Sequence, residues 1–168
     1  MSDIHPNWLA LAGLLALTAC KDAGTGDTHA EEDPGEHACE SVSDAGTAVT
    51  AAADLASAPE IEPSETPYTV TLADNGDGTY GGFVAVHVDE DGDALLFAAT
   101  ADVVTGLYED GTASSLPEGG ANSFCEADIP EHWDLELTAG EWQLEFGPSA
   151  TDTVWIMLLA EAHDHDEH

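Results

Sequence analysis

The last six residues, His163-Asp164-His165-Asp166-Glu167-His168, interleave imidazoles with carboxylates. Neutral imidazole nitrogens suit borderline cations, so His163, His165 and His168 are candidate ligands for Zn²⁺, Ni²⁺ or Cu²⁺. His29 and His37, towards the other end, are candidate partners for the same ion. Ligands on flexible flanks make a weaker, less selective site than a preformed one, and a solvated polar tail is the plainer account of the same residues. His87 and His132 fall on outward positions of expected strands, where exposure alone explains them.

Oxygen ligands form a second set. Asp89, Asp91 and Asp93 crowd one expected turn, and Glu109 and Asp110 another. If the strands from 67 to 112 form consecutive hairpins, both turns reach the same end of a sheet, and five carboxylates there would suit Ca²⁺. The Asp89-x-Asp91-x-Asp93 spacing matches the start of an EF-hand loop. Gly92, however, takes the fourth position rather than the sixth, and Thr100 stands where the bidentate Glu belongs. The segment is not an EF-hand. An Asp-rich hairpin turn also stands without any ion.

Charge narrows the functional classes. The chain carries 35 Asp and Glu against a single strongly basic side chain, Lys21, for a formal net charge of -34 with His neutral. Phosphates find nothing to neutralise them, which excludes nucleic-acid binding. Anionic headgroups repel the body, so membrane attachment must be covalent or inserted. Such a coat suits high salt or a medium rich in divalent cations. Catalytic signatures are missing: no Gly-x-Ser-x-Gly elbow, no His-Glu-x-x-His pair and no phosphate-cradling glycine loop. The expectation is a protein that is not an enzyme.

The N-terminus supplies the most specific motif. Trp8 to Ala19 is an apolar run of 12 residues, too short to cross a bilayer and right for the core of an export signal. It ends Leu17-Thr18-Ala19-Cys20, which resembles the lipobox of bacterial lipoproteins, although the preceding MSDIHPN lacks the usual basic residue. The resemblance implies a signal peptide over 1–19 and a mature chain beginning at Cys20, acylated with palmitate-type chains and anchored in the bilayer of the bacterial envelope. Lys21 after the anchor, rather than Asp, leans to the outer membrane, on its periplasmic or surface face. Residues 20–43 are rich in Gly, Asp, Glu and Thr and read as a flexible, self-repelling tether.

With Cys20 assigned to lipid by that resemblance, Cys39 and Cys125 remain as one even pair in an oxidising compartment. A disulfide between them would close a long loop, stabilising by about 4 kcal/mol in the chain-entropy picture. The other reading leaves both as free thiols able to ligate a metal.

All these residues need a scaffold, expected over 44–161, with 162–168 as a His- and Asp-rich tail. Alternation places Tyr68, Val70 and Leu72 on one face, then Val84, Val86 and Val88 on the next strand. Further strands are expected at 94–99 and 103–108. Trp133, Leu135 and Leu137 turn inward in one late strand and Trp142, Leu144 and Phe146 in its successor. Thr153 to Ala160 is apolar on both faces and reads as central. Asp74-Asn75-Gly76-Asp77-Gly78 marks a hairpin turn. Residues 47–53 read equally as helix or edge strand. Seven or eight short strands without a long helical pattern predict an all-β, antiparallel, jelly-roll-like sandwich. Leu107-Tyr108-Glu109-Asp110-Gly111-Thr112 and Ala139-Gly140-Glu141-Trp142-Gln143-Leu144 resemble turns of pre-peptidase-type secreted β-sandwich domains, which implies a non-catalytic accessory module. Transition-metal capture by the histidine flanks is the leading functional expectation. A lipid-anchored surface module recognising protein or glycan, with or without Ca²⁺, is the alternative.

Overall fold

Alternating side chains along the middle and late chain become two β-sheets packed face to face in the computed structural model, which describes residues 33–161. Helix α1 (Pro34–Ser41) comes first, then β1 (Thr47–Thr50), a short 3-10 turn (Leu55–Ser57) and β2 (Glu60–Ile61). The body follows as β3 (Tyr68–Thr71), β4 (Ala73–Asp74), β5 (Tyr80–Val88), β6 (Gly92–Ala98) and β7 (Val104–Glu109). It finishes with β8 (Thr112–Ser114), β9 (Glu131–Leu137), β10 (Gly140–Ser149) and β11 (Thr153–Ala160).

The first sheet runs β1-β3-β11-β6-β9, and the second β2-β5-β10-β7-β8 with β4 also on β5. From β5 to β7 and from β9 to β11 the chain changes sheet at every connection, the double Greek-key interleaving of a jelly roll. The expected consecutive hairpins are therefore corrected. Only β4–β5 and β7–β8 are local antiparallel pairs, and the 89–91 turn is an arch between sheets. The main ladders are antiparallel as expected, but two short parallel pairings are added at one side, β1 on β3 and β2 on β5. These pieces cover edges that would otherwise offer free N–H and C=O groups. The ambiguous 47–53 stretch thus resolves as an edge strand followed by a bridge from Ala52 to Phe83. That approach is close: a Cβ on Gly82, whose φ is +140°, would sit 2.6 Å from the Ala52 carbonyl oxygen.

Between the sheets lies the main core. Val70, Val84, Val86, Leu96, Trp133, Leu135, Trp142, Leu144, Phe146, Ile156 and Leu158 are all buried there, on the faces that alternation assigns. Each such side chain contributes roughly 1.5–3 kcal/mol through lost contact with water. Two aromatic residues of this core find partners for their polar ends. Trp142 Nε1 donates to the Thr138 carbonyl at 2.9 Å, and Tyr68 Oη donates to that of Glu62 at 2.7 Å.

A second apolar cluster sits outside the first sheet. Strand β11 is the middle of its five strands, and its outward residues include Met157, fully buried. Met157 packs with Phe97 of β6, Ala38 of α1 and Ile129 of the loop before β9, with Leu95, Trp155 and Leu159 at the margins. Here the expected tether is corrected. Its last part folds as α1, started by Asp33, whose side chain accepts from Gly35 N at 2.9 Å, and by Pro34 in the first turn. The apolar stripe of β11 needs a lid on its outer face, and α1 with the 121–130 loop provides it.

Candidate functional site

The lid is held by the Cys39–Cys125 disulfide, whose Cα atoms lie 5.9 Å apart and whose cysteines are 86 residues apart in sequence. This removes the free-thiol reading for both. Asn122, 2% exposed, anchors the same junction: its amide donates to the Gly35 carbonyl at 2.8 Å and lies 3.3 Å from Cys39 Sγ. Its Oδ1 accepts from Phe124 N at 3.1 Å, which fixes the next residues of the loop.

A groove of about 410 Å³ runs along the edge of this lid. Leu95 and Phe97 of β6 form its floor, and His132 of β9 stacks on Phe97 with ring centroids 5.8 Å apart. His132 Nδ1 lies 2.8 Å from the Gly120 carbonyl, where a short antiparallel bridge covers part of the β9 edge. Phe124 forms the opposite rim and is 52% exposed, the one large apolar side chain so exposed among the described residues. Asp33, Asp134 and Glu161 complete the rim.

Asp134 and Glu161 also line a second groove of about 580 Å³, on the same side of the molecule. Asp93 and Glu136, directly paired across β6 and β9, border it, and Leu107 and Trp142 line it from the second sheet. The main chain at Glu161 is fixed by its N–H donating to the Asp93 carbonyl at 2.8 Å. Strand β11 therefore delivers the chain at 161 to an acid-lined end of the first sheet.

The sequence-derived ligands fare unevenly. Cys20, His29, His163, His165 and His168 lie outside the described residues. His37 is on α1, its Nε2 3.3 Å from the Glu65 carbonyl oxygen. The calcium grouping is not formed. The two acidic turns do meet at one end, joined through the β9–β10 corner, but each acid is engaged separately. Asp91 accepts from Ala139 N at 2.7 Å and Glu109 from Thr138 Oγ1 at 2.6 Å, while Asp89 pairs with His87 at 3.4 Å. Asp110 holds the left-handed turn position at φ +48°, and Asp93 is displaced to the other groove because β6 belongs to the first sheet. Among the described residues no three His, Cys, Asp or Glu side chains converge as a metal site.

The outer face of the second sheet differs. Tyr108 Oη donates to Glu145 Oε2 at 2.7 Å, and Phe83 meets the Tyr108 ring edge-on. That hydrogen bond to a carboxylate, aided by burial, raises the phenol pKa above its ordinary value. At the far end of β9 from the acid-lined corner, partial burial pushes the Glu131 carboxyl up, opposed by the bond it accepts from Asp102 N at 2.8 Å.

The Phe124 groove escaped the sequence reading, because its parts lie at 33–35, 95–97, 121–124 and 132–134. One local signal that could have pointed towards it is Asp33-Pro34, an N-cap residue followed by a first-turn proline.

No protein-family model matches the chain, and no curated protein matches it. Among solved structures it is similar to a β-glucosidase from Paenibacillus barengoltzii, at 17% identity and a TM-score of 0.30. That match covers 67% of this chain and 13% of the glucosidase chain. At that TM-score the likeness carries no argument about fold or activity.

Proposed function

We propose that this chain is a non-catalytic lipoprotein of the bacterial envelope, acylated at Cys20, whose sandwich is a binding module. The ligand face is the outer side of the first sheet at its β9 end. One observation carries the reading: the two large grooves there share Asp134 and Glu161, and the exposed Phe124 stands on the rim of one of them. A stiff, disulfide-held lid lowers the cost of ordering that a mobile surface would incur on binding. The absence of recognisable catalytic motifs in the sequence supports binding over chemistry. A photo-crosslinking residue at Ser123 tests this in intact envelopes, with the same residue at Glu141, outside the second sheet, as the control. Crosslinks to a discrete partner are expected at 123 and not at 141, and the reverse pattern contradicts the reading. Mass spectrometry of the same preparation is expected to find Cys20 as an acylated N-terminus.

Capture of Zn²⁺, Ni²⁺ or Cu²⁺ by His163, His165 and His168 is the second reading. Its support is the exit of the chain at Glu161 beside Asp93, Asp134 and Glu136, whose field concentrates cations. Calorimetry with Zn²⁺ checks it, and deletion of 163–168 is expected to abolish the transition. Unchanged stoichiometry after the deletion contradicts it.

A further inference from the structure

We infer that the groove between Phe124 and β9 docks a Lys- or Arg-bearing polypeptide segment anchored by one aliphatic or aromatic side chain. The inference rests on the binding-module reading and gives its partner a chemistry.

The floor and one rim are apolar: Leu95 and Phe97 below, Phe124 at the side. The volume of about 410 Å³ falls in the range of sites that hold a specific ligand group, so one large side chain with its flanking backbone fits. The rest of the lining carries three carboxylates, Asp33 at the α1 start, Asp134 on β9 and Glu161 at the end of β11, beside the polar Asn122, Ser123 and His132. Three elements thus bring three carboxylates around one apolar floor, and the described chain holds no Lys or Arg that could pair with them.

Charge then selects among occupants. A second copy would bring its own share of a formal net charge of -34 against the same rim, within the roughly 8 Å over which charges act at physiological salt. Anionic lipid headgroups and nucleic acids are repelled for the same reason. A basic segment gains from the field as it approaches, and its apolar residue removes Phe124 and Leu95 from water once seated.

The groove is also stiff. Phe124 sits between Asn122, which is hydrogen-bonded to Gly35, and Cys125, which is bonded to Cys39. A Cβ at Gly35 would stand 3.0 Å from both Asn122 Oδ1 and Phe124 Cδ2, so the ring packs closely on the helix start. His132 is fixed by its stack on Phe97 and its contact with the Gly120 carbonyl.

The test uses the full chain and three synthetic peptides of equal length: one alternating Lys and Leu, one alternating Lys and Ser, and one alternating Glu and Leu. Expected is one-to-one binding of the Lys–Leu peptide, about tenfold tighter than Lys–Ser, with no binding of Glu–Leu. F124S should weaken Lys–Leu about tenfold and leave Lys–Ser unchanged, while D134N should weaken both a few-fold. F124S alters an exposed position, and an unchanged melting temperature confirms that the fold is retained. Amide-exchange protection is expected at 33–35, 121–124 and 132–134. Equal affinity for the two Lys peptides, or indifference of Lys–Leu to F124S, overturns the inference and leaves only an acidic coat. Protection confined to another surface overturns it too. If the peptides fail while Ser123 crosslinks in envelopes persist, the module reading stands and the partner has a different chemistry.

Discussion

The two apolar layers of this protein are built on different principles. The layer between the sheets is large, continuous and contributed by nearly every strand, so its members support one another. The layer outside the first sheet buries only Ala38, Phe97, Ile129 and Met157 completely, and its lid is one short helix and a loop. Eight helical residues are too few to hold themselves in water, and the loop has no ladder of its own. What binds the lid is the covalent link from α1 to the loop. The contrast teaches that a core assembled from alternation needs no staple, whereas a patch covered from outside does. The proposed ligand groove lies along the seam of that second layer.

The comparison can be broken first at the staple. Replacing both Cys39 and Cys125 with Ser is expected to cost about 4 kcal/mol in denaturant unfolding. The loss should appear as release of the lid, with a separate early transition, rather than as collapse of the sandwich. A single unchanged transition would mean that the outer layer is as self-sufficient as the inner.

Adjacent residues of β11 sharpen the same point, since Leu158 faces the inner layer and Met157 the outer. Leu158→Ala is expected to cost about 3 kcal/mol whether or not the disulfide is present. Met157→Ala should cost about 2 kcal/mol in the oxidised protein and distinctly less without the disulfide, because its burial is then already relaxed. A double-mutant cycle on melting curves measures the difference.

Trp155 gives a smaller effect of opposite sign. Its Nε1 is buried with no hydrogen-bond partner among the described residues, so Trp155→Phe is expected to stabilise by up to about 1 kcal/mol. Tyr108, half-buried on the second sheet's outer face, offers the smallest change. Tyr108 holds its proton more tightly folded than unfolded, because its hydroxyl is bonded to the Glu145 carboxylate. The stability this bond provides is complete below the unfolded phenol value of about 10 and is lost as pH rises through the raised folded value. Unfolding curves above pH ~10 should therefore fall more steeply for the native protein than for Tyr108→Phe.

Much of the inner layer was legible in the sequence, because period-two alternation is a local signal. Trp133, Leu135 and Leu137 face the core as that pattern requires, as do Trp142, Leu144 and Phe146. The double-faced run in β11 correctly marked a central strand. Cysteine pairing was legible once Cys20 was set aside. Which strand belongs to which sheet was not, since an arch and a hairpin turn use the same Asp- and Gly-rich residues. That ambiguity undid the calcium grouping, which needed consecutive hairpins to bring the 89–93 and 109–110 turns to the same end of one sheet, whereas β6 and β7 lie in different sheets. Helix α1 was hidden by composition. Its Gly35, Glu36 and Glu40 look like tether, and only the apolar back of β11 explains why it folds. The groove was hidden because four distant segments make it.

Amide hydrogen exchange on the protein with its disulfide intact and then reduced tests the two-layer account most directly. Reduction should strip protection from 34–41 and 122–129, while β5, β9, β10 and β11 stay protected. If reduction leaves the lid as slow to exchange as before, or if all strands lose protection together, the outer layer is not an appendage held by the disulfide and the account fails.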